Sequence, residues 1–109
     1  KRTKKRKIQK TEVYIMEIKI VGMVGTFAEN KDLARDIRIT KIIPTLEIDE
    51  EVILNFKGVE GATQSFIHAL ISDVIRRYGA KVLDKISFKE CNENVRKMIG
   101  MVVEYMQES

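Results

Sequence analysis

Cysteine and histidine occur once each in these 109 residues, proline once, and tryptophan not at all. A single cysteine, Cys91, excludes an internal disulfide framework. With only His68 beside it, the chain lacks the roughly three or four converging ligands of a zinc site, and CxxC, HxxxH and HExxH spacings are missing. No run approaches the roughly 20 apolar residues of a membrane span, and the first residues lack the apolar stretch of a secretory signal. A soluble protein of the reducing cytosol is expected, without metal or cofactor.

What remains is 44% apolar, enough for one core in one domain. Charge is unevenly placed. Lys1, Arg2, Lys4, Lys5, Arg6, Lys7 and Lys10 stand together with no acidic residue among them, leaving 13 basic against 16 acidic residues beyond position 10. Residues 1–12 therefore read as a basic, flexible arm or linker, and 13–109 as a mildly acidic folded domain. Richness in Ile, Lys and Glu leans towards a thermophilic source.

Within the domain, "VYIMEIKIV" (13–21) reads as a strand closed by "GMVG". "TFAENKDLARDIR" sets Leu33, Ala34 and Ile37 at helical spacing behind Asn30 as N-cap, and Pro44 is expected to forbid continuation. "EEVILNF" is a nearly unbroken apolar run, the pattern of a central strand covered on both faces. Residues 64–78 place Ile67, Leu70, Ile71, Val74 and Tyr78 on one helical stripe, with His68, Ser72 and Arg76 opposite and Gly79 as a stop. "AKVLDKISF" (80–88) reads as a third strand. From Asn92, a last helix carries Val95, Met98, Ile99, Val102 and Met106, with Met101 and Tyr105 as a second stripe. This alternation predicts a small α/β domain: about three or four strands in a largely parallel or mixed sheet, with about three helices.

Groups able to do chemistry are sparse. His68 reads as a solvated or hydrogen-bonded helix residue before a catalyst. Cys91, near a helix start, is a candidate for a lowered thiol pKa, though burial is the commoner fate of a free cysteine. "GMVGTF" lacks the third glycine of a dinucleotide loop and the Lys-Ser/Thr of a Walker loop, so it reads as a turn. The acidic run "EIDEE" (47–51) spreads its carboxylates over alternating faces and reads as a solvated loop rather than a cation site. No enzyme is expected, because acid/base and nucleophilic catalysis need paired groups.

The junction "VEGATQSF" enters a helix whose first N–H groups lack partners, and Thr63 or Ser65 can accept one of them. The same place suits a phosphate, which the helix dipole favours. "VILNFKGVEGATQSFIHALI", with "TFAENKDLARDIR" before it and "NVRKMI" after it, resembles the STAS-like family of α/β domains, related to the STAS domains of anti-sigma factor antagonists and sulphate transporters. The resemblance covers roughly residues 24–100. It implies a non-enzymatic regulatory module, whose relatives often accompany histidine-kinase-like ATPase or helix-turn-helix regions. In anti-sigma antagonists this turn carries a phosphorylated Ser. Counted from the shared "LN", the usual Asp falls on Thr63, the phosphorylated Ser on Gln64, and the following Ser on Ser65. Gln64 cannot accept phosphate, so a switch of that kind would use Ser65 or Thr63. His68 stands where related sequences often carry an acid.

The leading expectation is thus a protein-interaction module that binds a histidine-kinase-like ATPase or a larger transcription-regulatory partner through turn 58–68. Gly61, Thr63, Gln64 and Ser65 form its contact surface, with His68 and Ser72 beside them on the exposed face. The alternative is association with nucleic acid through the seven basic residues of the arm, driven by counterion release and showing little sequence preference. The second stripe of the last helix also permits a homo-oligomer.

Overall fold

β-branched and apolar residues dominate Thr11–Lys19 (β2), Glu51–Asn55 (β4) and Ile86–Lys89 (β6), and these pair in parallel with β4 between the other two. The computed structural model describes the backbone of residues 2–8 and 11–108 and the side chains of residues 14–107. Met16 and Ile18 of β2 lie level with Val52 and Leu54 of β4, which lie level with Ile86 and Phe88 of β6. Ile18, Val52, Leu54 and Ile86 are buried on that shared face, together with Ile20 and Phe56 beyond the strand ends.

On the opposite face Ile15 is buried, Glu17 and Lys19 are exposed, and Glu51, Ile53 and Asn55 are half-buried. β4 is central, as its apolar run predicts, but one face of the sheet carries the core. Apart from Ile15, the expected cover on both faces is not found among the described residues, because the helices pack together on the side of Val52 and Leu54.

Arg2–Ile8 (β1) pairs antiparallel with β2 and completes the order β1-β2-β4-β6. The sequence suggests a flexible arm here. The backbone instead takes up the open edge of β2, and a lysine-rich strand is well suited to a sheet edge. Lys1 and Lys10 lie outside the described residues, as do the side chains of Arg2, Lys4, Lys5, Arg6 and Lys7, and with them the nucleic-acid contacts expected of the arm.

Three helical stretches follow β2. Val21–Val24 (α1) is a single turn ended by Gly25 at φ 86°. Lys31–Ile37 (α2) starts where predicted, with the Asn30 side chain accepting from the N–H groups of Asp32 (2.9 Å) and Leu33 (3.1 Å). Pro44 does not end the helix. Arg38–Ile42 widens into a π turn that runs straight into Ile43–Glu47 (α3). The Ile43 N–H reaches back five residues to Arg38 O, so the ladder has already shifted where Pro44 cannot donate. Two hydroxyls serve carbonyls along this stretch: Thr40 Oγ1 donates to Asp36 O (2.6 Å) and Thr45 Oγ1 to Lys41 O (2.7 Å).

Gln64–Tyr78 (α4) matches its predicted span. It packs between α2 and Glu93–Glu108 (α5), so more than one stripe is buried: Phe66, Ile75 and Ser72 join Ile67, Leu70, Ile71 and Val74. The stretch expected as a strand from Ala80 is different. Ala80–Lys85 forms tight 3-10 turns that bury only Val82, and the strand is confined to β6. Gly79 at φ 84° reverses the chain immediately before them. α5 buries Val95, Ile99, Val102 and Met106, while Met101 and Tyr105 stay exposed.

Candidate functional site at the strand-to-helix turn

The turn from β4 to α4 is fixed from two sides. Phe27–Ala28 (β3) and Gly61–Ala62 (β5) form a two-residue parallel pair. Glu60 N–H donates to Thr26 O (2.7 Å) and Thr63 N–H to Ala28 O (2.9 Å), extending the tie past both ends of the pair. Asn92 holds the other side. Its amide donates to Glu60 O (2.9 Å) and Val59 O (3.4 Å), while its Oδ1 accepts from Val95 N–H (2.8 Å) and caps α5. One side chain thus serves the last helix and the turn together.

Gly61 is buried beneath the half-exposed ring of Phe27. Thr63 is the N-cap of α4, with Oγ1 accepting from Phe66 N–H (3.1 Å). Gln64 and Ser65 follow on the first turn, both exposed. Of the two hydroxyls that sequence offers for modification, the one on Thr63 is engaged in the cap and the one on Ser65 faces solvent.

His68 is half-buried one turn further on. It lines, with Lys31, Gln64, Ser65 and Ala69, a shallow depression between α2 and α4. Its Nδ1 lies 3.3 Å from Ser72 Oγ. Ser72 itself is 3% exposed, which corrects its expected place on an open face. α2 and the π turn cover that side of α4, where Arg38 donates to Ala69 O (2.6 Å) and lies 3.4 Å from Asp73. The structure therefore gathers Gly61, Thr63, Gln64, Ser65 and His68 into one surface, and leaves Ser72 beneath it as a support for His68.

Cys91 is half-buried, and burial pushes its thiol pKa up, with Arg96 pulling weakly the other way. This is opposite to the lowering that a helix start suggests. Among the described residues, no group of three or more His, Cys, Asp or Glu is placed to hold a metal ion. No helix there is long and apolar enough to cross a membrane. Sequence alone misses Phe27 and Asn92, whose roles depend on residues more than 30 positions away. Asn92 carried a signal only as a helix start.

The strand-turn-helix around Gly61 and the parallel sheet beneath it define an α/β domain of the STAS-like class. The family model described as STAS-like domain of unknown function (DUF4325) matches residues 34–96, and the chain belongs to that family. No curated protein and no solved structure gives a significant match.

Proposed function

We propose that the domain is a regulatory protein-interaction module with no catalytic activity of its own. Turn 58–68 docks on a protein partner, of the histidine-kinase-like ATPase or transcription-regulatory kind that the STAS-like resemblance implies. The observation that carries this reading is the contrast between backbone and side chains at the turn. Its peptide groups are tied to Thr26, Ala28 and Asn92, yet Gln64 and Ser65 stand free on the first turn of α4. A surface held still before contact loses little entropy on binding. Phosphorylation of Ser65 would place a dianion on that surface at a helix N-terminus and alter partner choice.

The test is affinity capture from the native host, using the whole chain and a Gln64→Lys, Ser65→Glu variant. A partner held by the first and lost by the second, at equal melting temperature, is the expected result. Equal capture by both would remove this surface from the reading.

A further inference from the structure

β6 is the end strand of its sheet and pairs on one side only among the described residues. Phe56 N–H donates to Lys89 O (2.9 Å), so Lys89 turns its carbonyl towards β4. Alternation along a strand then turns the N–H and C=O of Phe88 to the open edge. Beside that edge lies an open groove of about 680 Å³ between β6 and α5, with Leu83, Phe88, Ile99 and Val103 supplying apolar walls.

Gly100 lines the same groove, and a Cβ built on it meets nothing within 4 Å. Glycine in the interior of a 16-residue helix is unfavourable to the isolated domain. Here it leaves α5 without a side chain where the groove is open.

We infer that this groove receives an extended peptide segment of a partner protein, which adds to β6 as a further strand. An extended backbone is the occupant that satisfies the Phe88 edge groups, and alternate apolar side chains fill the space beside Gly100. Charge specifies it further. Arg96 lines the groove and donates to Cys91 O (3.2 Å), so an Asp or Glu in the segment finds a cation at its seat, while Glu90, also among the lining residues, favours a single acid over an acidic run. A second copy of the chain pairing by the same edge would appear as a dimer in sedimentation and would overturn the inference. The groove shares no residue with the surface formed by Gly61, Gln64, Ser65 and His68, so it does not rest on the function proposed for that turn.

A phage-displayed library of random peptides, panned on the whole chain, is the probe. Selected peptides should alternate apolar residues, carry Asp or Glu, and slow hydrogen exchange at the Phe88 amide. Gly100→Gln should fill the groove, raise helix propensity, and lose at least tenfold in affinity for them without a lower melting temperature. Arg96→Gln should reduce affinity for the acidic peptides and spare their Asn/Gln counterparts. Gln64→Lys with Ser65→Glu should leave binding unchanged. Absence of enrichment, a helical consensus without Phe88 protection, or equal binding to Gly100→Gln would each overturn the inference.

Discussion

The ring of Phe27 lies so close over Gly61 that a Cβ at position 61 would come within 2.7 Å of its Cε1. Gly61→Ala is therefore expected to destabilise the domain by about 1 kcal/mol, the mild end of overpacking, because the half-exposed ring can swing outward. In a Phe27→Ala background the same change should cost almost nothing. A double-mutant cycle by urea unfolding measures the coupling, and additive costs would mean that the ring does not constrain position 61.

Asn92 joins two hydrogen-bonding tasks that substitution can separate. Asn92→Ala loses the cap of α5 and the tie to Glu60, and should cost about 2 kcal/mol. Asn92→Asp keeps an acceptor for Val95 N–H but cannot donate to Glu60 O. It should leave α5 intact while speeding amide exchange in residues 59–63, read by NMR. Equal effects of the two variants would show that the tie to the turn contributes little.

The thiol of Cys91 should be slow to react. Burial raises its pKa above the ordinary 9.0, so at neutral pH the thiolate is scarcer than in an unfolded chain. Alkylation by iodoacetamide should be slower in the native than in the urea-unfolded chain, and the ratio of the two rates should narrow as pH rises from 9.0 through the native pKa. Arg96 lowers that pKa, so Arg96→Gln should slow native alkylation further. Faster alkylation in the native state would contradict the sign.

Tyr78 should titrate above the ordinary 10.0, first through burial and then through its hydrogen bond and charge contact with Glu47, with Arg77 opposing. The phenol ionises more readily once unfolded, so this stabilisation is intact below pH 10.0 and is lost as pH rises from there through the higher native value. Glu47→Gln should bring the ultraviolet titration part of the way back. An unmoved titration would leave Glu47 without influence on the phenol.

Much of the frame was legible where one local pattern governs one element. Asn30 caps a helix wherever it precedes one, and the spacing of Ile67, Leu70, Ile71 and Val74 has no other economical reading. Failures came where a neighbour decides. Ser72 looks polar and outward until α2 covers it, and Val82 suggests a strand although the chain around it turns tightly after Gly79. Pro44 is read as a stop because the change of ladder at Arg38 leaves no mark in residue type. At the site, the cap, the glycine and the exposed Gln64 and Ser65 could be read directly. Phe27 and Asn92 could not, since their contacts join distant parts of the chain.

The wide turn at Arg38–Ile42 also bears on how relatives are aligned. Buried positions run Ala34, Ile37, then Ile42, Thr45 and Leu46, a step of five where a regular helix takes three or four. The stretch behaves as an ordinary helix carrying one inserted residue. Loss of a single residue between positions 38 and 41 would bring both buried stripes into register on a uniform rod. A one-residue gap at this place in a relative would therefore mark a straightened helix rather than a damaged domain.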